Sequence, residues 1–393
     1  PNETLPKGRK QKTTALYDRF VNQGAVMGDN FGLENVLWFA KNKEDAYEEP
    51  TIKRSRSHNY VSKEVINVRE NVGVIEVANF SKHEFKGPES RKFLDHIMAG
   101  RLPKPGRISL SPMLTYRGKL YGDLTVACLD ENEFMVFGSG AAQEMHRRWF
   151  ESHIDKYNTI YRNRSDDFHG LAIAGPKSRE LLQKLCRENV SNDSLKFRDS
   201  RRMFVGGVPA IVNRISFTGE LGYEIYVAPH YQIKLYEEII KAGKDLKIKP
   251  FGSRALMSMR LEKNWGAWTL DYRPDFTAKE TGLDIFINWD KDFIGKESAK
   301  KDQSKNKITP LIVETNEIDV TNNEAVLKGK DSIGYVTSGG FAHFVNKSVA
   351  FSYINKNEIQ NEKGIQVEIN GDLFNCSVIK EPLYDPSGQK MRS

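Results

Sequence analysis

One local pattern occurs twice in this chain and limits the folds open to it. Lys82-His83-Glu84-Phe85-Lys86 runs into Gly87-Pro88-Glu89-Ser90, and Leu171-Ala172-Ile173-Ala174 runs into Gly175-Pro176-Lys177-Ser178-Arg179-Glu180-Leu181-Leu182. Proline is tolerated in the first turn of a helix, where its missing N–H has no partner to lose. Each copy therefore reads as strand, Gly-Pro step, helix. Val72-Gly73-Val74-Ile75-Glu76-Val77 adds a strand of the buried type. Two similar α/β modules follow, with strands and helices mixed rather than alternating as a regular βαβ repeat. A chain of 393 residues has room for two or three domains.

The flanks differ from this pattern. Residues 1–60 are polar and loop-rich, with a short helix at Leu16–Phe20 and an apolar anchor, Trp38-Phe39, before the charged stretch Lys41–Pro50. Regular structure begins at Val61, with a helix starting at Ser62-Lys63-Glu64. Glu297 to Lys307 is rich in Lys, Ser and Asp and reads as a linker. Beyond it, Thr309–Glu314, Ser332–Thr337, Val349–Ile354 and Ile365–Ile369 read as short strands, closed by the turn Asn370-Gly371-Asp372, and so as a small all-β domain. The expected division is 1–60, 61–300 and 305–393.

Charge and cysteine usage narrow the function classes. The net charge is +7, with Lys and Arg scattered along the chain. This favours a protein that binds anionic small molecules over one that binds nucleic acid. The densest basic run, Lys7-Gly8-Arg9-Lys10-Gln11-Lys12, reads as a solvated tail. Cys128, Cys186 and Cys376 are far apart and form no Cys-x-x-Cys pair, so neither a disulfide framework nor a zinc site is expected, and the compartment is expected to be reducing and cytoplasmic. The histidines show no metal-ligand spacing. No 18-residue apolar run marks a membrane span, and Pro1-Asn2-Glu3-Thr4 has no signal-peptide pattern. The absence of Met at position 1 means an initiator removed or a start inside a longer chain.

Two apolar strands each carry a carboxylate. In Tyr121-Gly122-Asp123-Leu124-Thr125-Val126 the Leu-Thr-Val run reads as buried strand, which sets Asp123 near its entrance. A partly desolvated carboxylate there accepts a proton or stabilises a cation; spacing alone equally allows a turn Asp after Gly122. In Ile215-Ser216-Phe217-Thr218-Gly219-Glu220-Leu221-Gly222-Tyr223-Glu224-Ile225-Tyr226 the even spacing places Glu220 and Glu224 on one strand face. A buried Glu accepts two adjacent N–H donors of a flat heterocycle; spacing alone also allows an exposed strand Glu. Glu133–Gln143, containing Gly138-Ser139-Gly140, has the order of a dinucleotide fingerprint. Gln143 takes the third glycine's place, however, where close helix packing needs Gly or Ala, which argues against dinucleotide binding. Arg254–Lys263 reads as an amphipathic helix, with Arg260 and Glu262 as a structural ion pair.

Together with Gly118-Lys119-Leu120-Tyr121-Gly122-Asp123, the Ile215–Tyr226 segment resembles signatures of the glycine-cleavage T-protein family of folate-binding one-carbon enzymes. The resemblance runs from about Thr13 to Ile379. Trp265-Gly266-Ala267-Trp268, Gly334–His343 and Leu256, which stands where T-proteins proper carry a folate-contacting Arg, resemble the branch formed by the C-terminal half of dimethylglycine and sarcosine dehydrogenases. The resemblance implies an α+β fold: a three-lobed ring, two α/β lobes around a folate channel, plus a C-terminal β-barrel domain. It implies that Asp123 faces the reactive nitrogens of tetrahydrofolate as the catalytic residue. Glu224, seven residues after the aromatic Phe217, is implied to bind the pterin. Phe217 stands where the family usually has Tyr, so stacking survives and a hydroxyl's hydrogen bond is lost. Phe217 and Tyr223 are expected as apolar walls, and Gly138 as a small residue beside the pocket.

The implied activity is tetrahydrofolate-dependent one-carbon transfer from an N-methylated amine, as the folate half or subunit of a demethylating dehydrogenase. The dehydrogenases also carry a flavin domain with Gly-x-Gly-x-x-Gly, which nothing here matches. FAD is therefore expected only if an upstream domain or a partner flavoprotein chain supplies it. The alternatives are a stand-alone demethylase that makes 5-methyl-tetrahydrofolate and a non-catalytic folate-binding protein. The cysteines lack the Lys-Gly-Cys-Tyr-x-Gly-Gln-Glu context of the iron–sulfur-assembly relatives.

Overall fold

A computed structural model describes residues 6–360 and 363–393; the Pro1–Thr4 start lies outside the described residues. The two modules take the form of two sheets laid face to face. The first sheet orders its strands Ser200–Val205, Val208–Asn213, Gly222–Val227, His169–Ala174, Gly73–Glu76 and Lys249–Pro250. The second orders Arg107–Leu114, Leu120–Asp130, Glu133–Ser139, Phe80–Lys86 and Ile160–Asn163.

Strand alternation decides what each face touches, because successive side chains point to opposite sides. In the first sheet Tyr223, Ile225 and Val227 join Leu171, Ile173 and Leu235 in a core beneath the helices Ser178–Leu185 and Gln232–Ala242. In the second, Leu124, Val126, Phe134 and Val136 pack with Phe93 and Phe150 of the helices Ser90–Ile97 and Gln143–Ile154. The opposite faces meet each other: Ile75, Val77, Ile211 and Tyr226 from the first sheet pack on Ala127, Met135 and Phe137 from the second. Phe137 and Tyr226 stack across this seam, with ring centroids 4.7 Å apart and planes at 29°. Helices thus lie outside and two sheets lie inside.

The C-terminal domain is a closed six-stranded barrel of Asn306–Val313, Lys347–Asn355, Asp331–Ala342, Ala325–Lys328, Ile365–Ile369 and Asp372–Val378. Four of its strands follow the short apolar runs read from the sequence, and two are additions, Ala325–Lys328 and Asp372–Val378. Ala325–Lys328 is four residues long and forms because barrel closure pairs it with strands on both sides.

Several local expectations change. Lys7–Lys12 is no free tail: Arg9 forks onto the buried Glu34, and Lys12 pairs with Asp166. The segment before residue 60 forms a hairpin, Ala25–Asn30 with Leu33–Phe39, and Leu16, Phe20 and Val36 join the core beneath the first sheet. The next helix starts at Ser57, not Ser62. The linker stretch holds the Lys296–Lys300 helix and the first residues of the barrel. Arg260 and Glu262 do not pair with each other. Successive even positions on a helix lie about 200° apart, and each finds its own buried partner. Arg260 bonds Asp271 at 2.8 Å, while Glu262 bonds Arg69.

Arg69 joins the sheets to the barrel. It is fully buried, donates to Glu262 at 2.5 Å, to Glu220 at 3.0 Å and to the Thr218 carbonyl at 2.7 Å, and lies 3.8 Å over the Tyr384 ring. Glu262 also accepts the Phe344 N–H at 2.8 Å, and Tyr384 donates to Glu220. Removing the cation leaves two carboxylates buried against one another. Arg69→Met is therefore expected to destabilise the protein by about 3–5 kcal/mol, read as a lower midpoint in urea unfolding. An unchanged midpoint means that these carboxylates are compensated elsewhere.

Candidate functional site

Glu224 lies in the middle of the first sheet, paired with Asn213 on one side and Ala172 on the other. Alternation turns it, with Tyr226, toward the seam between the sheets. The Tyr226 hydroxyl donates to its Oε2 at 2.8 Å. Among the described residues, no protein group donates to Oε1. The residue is 8% exposed, and burial with a single donor pushes its carboxyl up to about 7, against the pull of the nearby Lys82 ammonium and the Tyr226 hydrogen bond.

A narrow cleft opens onto Glu224. Its walls include Ile75, Val77, Phe80, Phe217, Phe251 and Leu256. Phe217 is braced from behind by Trp265, their rings nearly parallel at 25° and 5.8 Å apart. Ser216 and Thr218 add hydroxyls at the rim, hydrogen-bonded to each other at 2.7 Å. A larger hollow, lined by Gly118, Thr277, Lys279, Asp284 and Trp289, contains none of these groups.

Two expectations about this segment change. The strand begins only at Gly222. Tyr223, odd where Glu224 is even, turns to the helix side and is fully buried in the core there, away from the cleft. Glu220 precedes the strand, so the alternation rule does not reach it, and it bonds Arg69 instead of sharing Glu224's face.

Asp123 lies on the Leu120–Asp130 strand opposite Pro112. It shares its face with Thr125 and Ala127, so it points to the seam from the second sheet as Glu224 does from the first. Its side chain is half-buried, yet protein surrounds it closely enough that desolvation raises its carboxyl to about 7. Tyr272 lies nearby: burial first, then the charge of Asp123, push its phenol upward.

Tyr272 ends a loop that begins at Trp265. Asp271 fixes that loop, accepting from Arg260 at 2.8 Å and the Ala267 N–H at 2.9 Å on one oxygen, and from Thr337 at 2.6 Å and Ser338 at 2.7 Å on the other. The Tyr272 hydroxyl accepts the Gly266 N–H at 3.2 Å, and a Cβ on Gly266 would come within 2.4 Å of the Tyr272 ring, so only glycine fits. The barrel therefore sets the position of a residue beside Asp123. Trp265–Trp268 marks this loop in the sequence, but nothing there shows that Tyr272 reaches Asp123.

Gly138 belongs to the Glu133–Ser139 strand, on the helix side with Phe134 and Val136. A Cβ there would lie 2.7 Å from Leu124 and 3.3 Å from His146 Nδ1, so its smallness admits His146 behind the sheet. His83 bonds Tyr161 at 2.9 Å, and His343 lies 4.6 Å from His58, ring to ring; burial lowers both His83 and His343 to about 3. Among the described residues no group of His, Cys, Asp and Glu could hold a metal ion, and no helix is long and apolar enough to cross a membrane.

The site therefore offers two carboxyls that titrate near neutrality, on the inward faces of opposing sheets. One lies at the end of a narrow apolar cleft. Comparison with known proteins identifies the fold and the family. Residues 16–291 match the GCVT N-terminal domain, and residues 307–385 match the glycine cleavage T-protein C-terminal barrel domain. Mouse mitochondrial dimethylglycine dehydrogenase is 35% identical over 98% of this chain, which spans 45% of that protein's length; the chain is thus just under half as long as such relatives. An aminomethyltransferase from Thermotoga sp. (strain RQ2) is 28% identical over 95% of this chain and 98% of its own. The crystal structure of the glycine cleavage system aminomethyltransferase T from Bartonella henselae shares the fold, with a TM-score of 0.82 at 21% identity over 96% of this chain and 99% of its own. The chain belongs to the glycine-cleavage T-protein family, aminomethyltransferases that act with tetrahydrofolate.

Proposed function

We propose that this chain is the folate-binding half or subunit of an enzyme that removes a methyl group from an N-methylated amine such as dimethylglycine or sarcosine. The observation that carries this reading is Glu224: a buried carboxylate, one oxygen held by Tyr226 and the other without a protein donor, at the end of an apolar cleft. The 2-amino group and N3–H of a pterin form the pair of donors that such a carboxylate accepts. The fit is also one of shape, since Phe217 braced on Trp265 gives the cleft a flat wall.

When bound, tetrahydrofolate supplies the nitrogen nucleophile that takes up the one-carbon unit and leaves as 5,10-methylene-tetrahydrofolate. The protein's part is to bind, to exclude water and to handle a proton. Glu224 orients the ring. Asp123, with its carboxyl near 7, holds or takes a proton at the seam, matched to reaction at neutral pH. Oxidation of the amine is assigned to a flavoprotein domain or partner subunit carrying FAD, on the ground that the dimethylglycine dehydrogenases are about twice as long. The free, widely spaced cysteines support a reducing compartment such as the cytoplasm.

A second reading has its own observation: the Thermotoga aminomethyltransferase is matched over almost its whole length. A stand-alone chain, acting as a demethylase, would instead move an intact methyl group from a methylated sulfur or nitrogen compound to tetrahydrofolate. The product separates the two readings, 5,10-methylene-tetrahydrofolate for the first and 5-methyl-tetrahydrofolate for the second.

Calorimetric titration of the wild-type chain with tetrahydrofolate is expected to show binding that Glu224→Gln weakens about 100-fold, the loss of a charge-assisted donor pair. Wild-type affinity falls as pH drops through about 7, because the accepting form is the carboxylate. Equal affinity of the variant, or no binding by the wild type, removes the reading.

The same substitution is expected to stabilise the protein by about 1–3 kcal/mol at pH 8. Glu224 has a folded-state pKa above its unfolded value, so ionising it costs folded-state stability. That cost is complete above about 7 and fades as pH falls toward the ordinary carboxylate range. Thermal unfolding at pH 8 and pH 5 checks this; a variant less stable at pH 8 contradicts it. Asp123→Asn is expected to lower turnover about 10²–10⁴-fold with little change in tetrahydrofolate affinity. Full turnover would remove Asp123 from the chemistry.

A further inference from the structure

One buried cation at the seam acts on Glu224 through the pull of its charge. Lys82 lies on the Phe80–Lys86 strand, where Phe85 faces the helix-side core while Phe80 packs at the seam; by alternation Lys82 shares the seam side with Phe80. It is 0% exposed. Its Nζ donates to the carbonyls of Ala78 at 2.9 Å and Phe80 at 2.7 Å, with the Ser165 carbonyl at 3.5 Å. Ala78 to Phe80 is the turn that presents the Phe80 wall of the cleft. The same Nζ lies 5.8 Å from the centroid of the Tyr226 ring, and Tyr226 donates to Glu224. Tyr226 thus stands next to both the ammonium and the carboxylate.

A lysine at such a place is costly. Carbonyl partners satisfy its hydrogens but do not neutralise its charge, and an apolar side chain of similar length would fill the space at less cost. The charged groups that act on it are Asp166, Glu76 and Glu224, with Lys12 opposing them. Asp166 is itself paired to Lys12 at the surface, and Glu76 accepts a hydrogen bond from Gln232. His169, also bonded to Gln232, and His83, next in the strand, are the remaining titratable neighbours, with the Tyr226 phenol. Glu224 has no protein donor but Tyr226 among the described residues, so it has the most to gain from the cation.

We propose that Lys82 is a positioning residue of the folate cleft: without touching the ligand, it keeps Glu224 ionised across the Tyr226 ring and ties down the Ala78–Phe80 turn that walls the cleft. This rests on the reading of Glu224 given above. Burial lowers Lys82 to about 7 and raises Glu224 and Glu76 to about 7, while the attraction between them works against each shift. With the cation gone, the burial of Glu224 is opposed only by the Tyr226 hydroxyl, and its carboxyl rises further. The neutral Glu224 then donates at one oxygen instead of accepting at both, and loses its match to paired N–H donors.

The test begins without folate. Protein labelled with carboxyl-¹³C glutamate is titrated by NMR, and the Glu224 signal is identified by its loss in Glu224→Gln. Lys82→Gln keeps a donor for the Ala78 and Phe80 carbonyls but no charge, and is expected to raise the Glu224 midpoint by about one pH unit or more. Lys82→Arg is expected to leave it within about half a unit. An unchanged midpoint in folded Lys82→Gln overturns the proposal, whatever tetrahydrofolate does.

Tetrahydrofolate titration then adds a reading that a merely structural lysine would not give. In Lys82→Gln the affinity falls about tenfold at pH 7 and recovers at pH 9; an equal loss at both values overturns the electrostatic role. Adding Lys82→Gln to Glu224→Gln is expected to change affinity little further. If Lys82→Gln does not fold, the wild-type protein decides. Glu224 and the Lys82 ε-carbon then titrate in shared, coupled steps, and independent single titrations overturn the proposal.

Discussion

The rest of the molecule depends on the apolar contact between its two sheets. Ile75, Val77, Ile211 and Tyr226 on one side and Ala127, Met135 and Phe137 on the other bury each other's inward faces. Burial of that kind is worth roughly 25 cal/mol per Å², and it needs no particular polar partner. It also creates a layer dry on both sides, where a carboxylate's pKa rises toward neutrality. Asp123 and Glu224 sit on strands that form this contact, and the same desolvation acts on both.

Polar interactions then decide how the surrounding parts attach. Arg69 holds Glu220 and Glu262 with Tyr384 and Phe344, and Asp271 holds the Trp265–Tyr272 loop through Thr337 and Ser338. Both clusters are buried, and both cross from the sheets to the barrel. The barrel is therefore part of the site's frame, since it fixes the loop that braces Phe217 and brings Tyr272 beside Asp123. A buried ion cluster is a weak source of net stability but a strong one of geometry, because its members tolerate few arrangements.

Two carboxylates of the candidate site were legible in the chain. Asp123 and Glu224 stood out as carboxylates inside apolar strands, and the family resemblance gave them roles; the structure sets both on inward faces. The readings that changed share a cause. Tyr223 was expected with Phe217 as an apolar wall, although alternation sends it to the face opposite Glu224, which belongs to the helix-side core. Glu220 was put on Glu224's face by even spacing, although the strand starts two residues later. Arg260 and Glu262 looked like a pair because each needed one, but their partners, Asp271 and Arg69, lie 11 and 193 residues away. Lys82 gave no signal at all, since a lysine in an alternating strand reads as solvent-facing.

The sequence by itself determined the local elements and the family: strand and helix periods, the Gly-Pro steps, the short barrel strands and the signatures around Asp123 and Glu224 are all encoded within a few residues of one another. Only the tertiary structure decided which face of each strand is dry. That depends on which sheet lies opposite, and so on residues many tens of positions away. The titration of Glu224, the burial of Lys82 and the reach of Tyr272 toward Asp123 follow from that choice, because desolvation and charge act through space and not along the chain.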